Sequence, residues 1–155
     1  MLKSASRFSC HEDREIGFRS NLREHFSIVQ IADVAKGEDS PDRTFEAVRS
    51  LLKAHPKLDA IYNVAGGNAG LARAIVESDR ADNLHVVTHE ANSITVPLVR
   101  DGIVQYLISL DPAELLRTAV DLIERRAISR TKELYLINFG VYTRFNPPDY
   151  NGTAT

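Results

Sequence analysis

An arginine at position 14 and carboxylates at positions 90 and 111 are the side chains best suited to grip a polar small molecule. A guanidinium donates in a planar fork and carboxylates accept from paired hydroxyls. Arg14, Glu90 and Asp111 converging on one crevice would therefore suit a polyhydroxylated ligand. Plainer readings stand beside this one. Asp111 precedes Pro112 and fits a helix N-cap, and Arg14 has acidic neighbours able to pair with it on a helix surface. Spacing leaves both open. His85 and His89 share one face of a short strand with Glu90 following, from which a metal site can be drawn; the simpler reading bonds each ring to backbone near a strand end. There is no G-x-S-x-G, H-E-x-x-H, C-x-x-C or Walker lysine, so neither catalysis nor a cofactor is expected.

Something must hold those residues on one rim, and residues 58–75 show what it is. Leu58 to Val64 is an apolar run of buried-strand length, Gly66-Gly67 allows a sharp turn through positive φ, and Asn68 can cap a helix carrying Leu71, Ala74 and Ile75. A strand, a tight turn and a helix form the junction at which open α/β sheets place ligands. Glu90 follows the strand Leu84–Thr88 and Asp111 follows the strand Ile103–Leu110, which puts both at the same carboxyl rim. The spacing Gly66-Gly67-Asn68-Ala69-Gly70 lacks the dinucleotide pattern.

The rest of the chain alternates in the same way. Ser9-Cys10-His11-Glu12 has the capping-box form, and Phe18, Leu22 and Phe26 give the helix after it an apolar stripe. Ile28 to Val34 reads as a strand. Ser40-Pro41 opens a helix with Phe45, Val48, Leu51 and Leu52 inward, stopped at His55-Pro56. Asn92 or Ser93 caps a helix to Asp101 with Gly102 as its stop. Asp111-Pro112 opens a helix with Leu115, Ala119, Leu122 and Ile123 as its stripe, and Leu134 to Phe139 is the last strand. Residues 139–155 read as an irregular tail around Asn146-Pro147-Pro148. The fold class is therefore α/β: a mostly parallel sheet of about five strands with helices on both faces, in a single domain over residues 1–155. Met1 to Phe8 makes a poor buried strand ahead of the first helix, so the chain reads as a fragment.

At 155 residues with 43% apolar and 26% charged residues, the chain has the size and composition of one soluble globular domain. A net charge of −2 leaves no footprint for nucleic acid or an anionic membrane, and Arg125, Arg126 and Arg130 read as a solvated helix end. Cys10 is alone, which excludes an intramolecular disulfide and fits a reducing compartment. No apolar run reaches membrane-spanning length.

Taken together these pieces resemble the effector-binding core of lactose-repressor-type (LacI/GalR) regulators, which have the type I periplasmic-binding-protein fold. The resemblance rests on Arg14-x-x-Gly17-Phe18, on Leu58-Asp-Ala-Ile-Tyr-Asn-Val with Gly66-Gly67-Asn68-x-Gly70, and on Val86-Val87-Thr88-His89-Glu90. It continues through Arg100-Asp101-Gly102, Ile108-x-x-Asp111-Pro112 and the closing Asn138–Tyr150. It implies a Rossmann-like lobe of a two-lobed sensor that closes on a sugar or similar effector. Arg14, Asn63, Asn68 and Glu90 would be contacts. Leu110 and Ala69 stand where the family often has glutamine and arginine, which points to a ligand less polar or differently placed.

The resemblance further implies a cytoplasmic homodimer, with DNA reached only through a helix-turn-helix outside this chain and no membrane association. The helix from Pro112 and the strand at Leu134 would belong to a second lobe, and are expected to pack back on this domain's own sheet or to swap with a second chain. A solute-binding component of a sugar importer is the alternative. A small α/β enzyme using the glycine turn to hold a phosphorylated substrate is a third reading.

Overall fold

The computed structural model describes residues 1–3, 9–126 and 135–149. Arg130, Leu134 and Tyr150 lie outside these.

The order is β1 (Leu2–Lys3), α1 (Ser9–His25), β2 (Ala35–Lys36), α2 (Pro41–Ala54), β3 (Ala60–Tyr62), α3 (Asn68–Glu77), β4 (His85–His89), α4 (Thr95–Arg100), β5 (Tyr106–Leu110), α5 (Pro112–Arg126) and β6 (Phe139–Tyr142). β1 pairs with β2, and β3-β4-β5-β6 form a second ladder. A parallel bridge from Leu2 to Asn63 joins the two, giving the succession β2-β1-β3-β4-β5-β6. All pairings are parallel except β5 with β6. The expected α/β class with a mostly parallel sheet is what forms, and the chain reverses direction between β1 and β3, the switch point of such sheets.

Helices cover the faces unequally. α2 carries Phe45, Val48, Leu51 and Leu52 into a core with Ile61, Leu71, Ile75, Val86, Val99 and Leu107. Ser40 caps α2 by accepting from Arg43 N–H at 3.4 Å, with Pro41 at the first helical position as expected. α1 lies over the opposite face and contributes no buried residue. Its expected stripe is thus only half seated: Phe18 packs beside Tyr62, while Phe26 falls beyond the helix end and is exposed.

Four expectations about the elements change. Leu2–Lys3 is a strand, with Met1 and Leu2 buried, because two apolar residues suffice to reach both β2 and Asn63. The strand expected over Ile28–Val34 does not form there; the strand on this edge is Ala35–Lys36, directly after it, where Leu2 and Lys3 supply the pairing partners. The last strand is Phe139–Tyr142, antiparallel on β5, so residues 139–142 are not part of an irregular tail. Finally, α5 does not pack back on the sheet: Leu115, Ala119 and Ile123 of its expected stripe are exposed and Leu122 is half-buried, with Leu116 and Val120 exposed as well.

Candidate functional site

The site is built where β3 and β4 end. In a parallel sheet each strand delivers its carboxyl end to the same rim, so residues just past Tyr62 and His89 become neighbours. Beyond β4 the chain turns at Glu90, which takes a left-handed φ of 71°. For a non-glycine residue that conformation is strained and persists only where surroundings enforce it. Here they do: Glu90 N–H donates to Ile108 C=O at 2.9 Å, and Glu90 C=O accepts from Thr95 Oγ1 at 2.6 Å. The pinned backbone leaves the carboxylate 67% exposed on the rim.

Arg14 reaches this rim from α1. Its Nη1 donates to Val64 C=O at 3.0 Å and its Nη2 to Glu90 Oε1 at 3.2 Å. The partner lies 76 residues away in sequence rather than one helical turn, so the helix-surface ion pair is not what forms. α1 is anchored for this by Glu15, which takes Lys3 Nζ at 3.1 Å and Arg19 Nε at 2.9 Å.

Beside the charged pair stands a neutral aromatic group that spacing did not reveal. Tyr62 Oη and His89 Nε2 share a hydrogen bond of 2.8 Å, and Phe18 packs on Tyr62 with ring centroids 4.6 Å apart. Burial pushes the His89 pKa down to about 4, and the charges of Arg14 and His11 push the same way. Burial raises the Tyr62 pKa against the opposing charge of Arg14. Both rings are uncharged near neutral pH. The expected backbone partner of His89 is therefore replaced by a hydroxyl. Among the described residues no His, Cys, Asp or Glu cluster is arranged to hold a metal.

The two asparagines are drawn together, but inward. Asn63 donates to Gly66 C=O at 3.1 Å and to Asn68 Oδ1 at 2.9 Å, and its own oxygen takes Ala65 N–H at 3.2 Å. Thr88 Oγ1 donates to the same Asn68 oxygen at 2.7 Å. Asn63 and Asn68 are 1% and 7% exposed, so their amides tie β3, β4 and α3 together beneath the rim. Asn68 is also not the cap: Gly67, at φ 76°, takes that place. Only Gly67 of the glycine pair has positive φ. Asp111 fulfils its plainer reading. It caps α5 by accepting Ala113 N–H at 2.8 Å and lies 3.9 Å from Arg117, so its carboxylate is engaged by its own helix.

The glycine turn offers little to an anion. Gly66 N–H already donates to Asp39 Oδ1 at 2.7 Å, and Asp39 holds a left-handed φ of 56° to reach it. A carboxylate of the chain thus occupies the place a phosphate would take.

The sequence matches the family described as periplasmic binding protein domain over residues 1–130. No curated protein matches at a significant level. Among solved structures, an ABC transporter solute-binding protein from Agrobacterium vitis bound with alpha-D-tagatopyranose superimposes with a TM-score of 0.82 at 16% identity, over 96% of this chain and 50% of that one. GanP, a glucose-galactose binding protein from Geobacillus stearothermophilus, gives 0.84 at 16%, over 95% and 53%. An ABC transporter solute-binding protein from Burkholderia graminis in complex with D-arabinose gives 0.82 at 18%, over 97% and 54%. At such identities the likeness is one of fold. The chain spans about half the length of these structures.

Proposed function

The chain belongs to the periplasmic binding protein domain family, and from that premise we propose that it forms one wall of a cleft for a small polyhydroxylated ligand of the sugar class. The observation that carries this is the meeting of Arg14 and Glu90 at the carboxyl rim, across the switch point of the sheet. Arg14 spends one nitrogen on the backbone and one on Glu90. The exposed carboxylate keeps lone pairs for vicinal hydroxyls, and the Phe18–Tyr62–His89 group supplies an uncharged surface beside it. Solved relatives carrying tagatose and arabinose support the sugar class.

A solute receptor of the importer type is favoured over a transcription regulator, because the fold relatives reported above include two described as ABC transporter binding proteins. The cytoplasmic, homodimeric, DNA-linked regulator is the alternative reading.

One wall binds weakly, so the suitable readout is NMR of the chain with tagatose, arabinose, glucose or galactose at millimolar concentration. At least one sugar is expected to shift the Arg14 side-chain and Glu90 backbone signals. Arg14→Ala is expected to weaken that binding about tenfold or more, the cost of removing a charged hydrogen bond. Unchanged affinity in both Arg14→Ala and Glu90→Ala would overturn the assignment.

A further inference from the structure

Asp39 reaches the same rim as the Arg14–Glu90 pair, from the other side of the glycine turn. β2 and β3 both run parallel to β1, so the loop after Lys36 leaves the sheet at the carboxyl end, as the segment after Tyr62 does. From that loop Asp39 Oδ1 accepts from Gly66 N–H at 2.7 Å. Two residues earlier, Val64 C=O accepts from Arg14 Nη1 at 3.0 Å. Two residues of chain span at most ~7 Å, which is short beside the ~8 Å over which charges act in physiological salt.

The loop is built to hold the carboxylate there. Lys3 C=O takes Gly37 N–H at 3.0 Å and Gly37 C=O takes Ser40 N–H at 3.1 Å. These bonds close a turn whose central residues, Glu38 and Asp39, have φ of 51° and 56°. Positive φ at both centres is a pattern that asparagine and glycine serve best. An asparagine at position 39 would fit this backbone and accept the same bond from Gly66. What aspartate adds is charge.

The cations nearby are already engaged. Arg14 is matched by Glu90, and Arg43 pairs with Glu38. His89, with its pKa pushed down to about 4, is neutral near neutral pH. An anionic ligand would meet paired guanidinium groups, a neutral imidazole and a carboxylate seated on the Gly66 amide.

We propose that Asp39 sets the charge specificity of this rim: its carboxylate fills the position an anion would take on the Gly66 amide, and restricts the ligand to uncharged sugars, against sugar acids and sugar phosphates. The inference rests on the sugar reading of the same rim. The carboxylate also suits the start of α3, where Gly67 makes no side-chain cap bond and the first turn holds no acidic residue. A brace of that kind acts on stability, whereas a specificity residue acts on which ligand binds.

The test titrates galactose against galacturonate and glucose against glucuronate, followed by NMR of the whole chain and of two variants. Asp39→Asn keeps the hydrogen bond without the charge, and Asp39→Gly removes the side chain while tolerating the φ of 56°. The parent is expected to bind the neutral member of at least one pair about tenfold or more tighter than its acid. Asp39→Asn is expected to narrow that ratio by about tenfold, by tightening the acid more than the neutral sugar. A ratio unchanged in Asp39→Asn, with only Tm moved, makes Asp39 a brace and overturns the proposal. A parent that takes the acid as tightly as the neutral sugar overturns it too. Inorganic phosphate gives a readout that needs no sugar. At millimolar concentration it is expected to shift the Gly66 amide signal of Asp39→Gly and to leave that of the parent unmoved. If no sugar binds and phosphate still separates the two forms, the sugar reading fails and the exclusion of anions by Asp39 stands. Should phosphate move Gly66 equally in both forms, or in neither, the amide is not an anion position and the proposal falls.

Discussion

Tyr62 and His89 have a pH signature of their own. His89 titrates near 4 in the fold against an ordinary value of 6.5, chiefly because burial disfavours the imidazolium. Above pH 6.5 the ring is neutral in both folded and unfolded chains, and the fold keeps its full stability. Between 6.5 and 4 the unfolded chain takes up a proton that the folded one refuses, so stability falls as pH falls. Tm should therefore drop across that window, and His89→Gln, which keeps a partner for the Tyr62 hydroxyl, should flatten the drop. An identical slope in the variant would assign it to other groups. The pairing of Tyr62 with His89 was hidden from the sequence because two positions on different strands become partners only through register. The convergence of Arg14 and Glu90 was legible, since Glu90 directly follows a strand and Arg14 lies in the first half of the helix that reaches the same rim. Asn63 and Asn68 sit where they were expected, yet spacing cannot tell which way an amide turns.

At the scale of elements, α2 packs closely against α3, and Gly70 makes it possible. A Cβ on Gly70 would overlap the Pro41 carbonyl, with the carbonyl carbon 2.7 Å away and Phe45 N at 2.9 Å. These are backbone atoms, which no rotamer change can clear. Gly70→Ala should push the helices apart and cost about 2–3 kcal/mol, as overpacking does, despite alanine's better helix propensity. Urea denaturation measures this directly, and a variant as stable as the parent would show that the helices shift freely. Elements that carry their own partners were well read. α2 has its cap, its proline and four inward residues in one stretch, and all of them behave as the pattern says. Ile28–Val34 has the pattern of a strand but no strand to pair with among the described residues, so local sequence and structure part company there. β6 was displaced because Gly140–Tyr142 pair antiparallel with β5, a long-range match that no window of sequence contains.

At the scale of the whole molecule, α5 is the element least explained by its own domain. It is amphipathic, yet Leu116, Val120 and Ile123 are 66%, 53% and 71% exposed, and Phe139 and Val141 of β6 are exposed as well. Contiguous apolar surface beyond a few hundred Å² is uncommon on a soluble monomer and marks a surface meant to be covered. In the chain by itself the available cover is another copy. Sedimentation velocity should therefore show self-association that grows with concentration. Replacing Leu116 and Ile123 together with lysine should shift the chain toward monomer without lowering Tm, because neither side chain is buried in the fold. A parent that stays monomeric at every concentration would mean that α5 tolerates water as it is. A variant that loses stability would mean that α5 packs on its own sheet in solution.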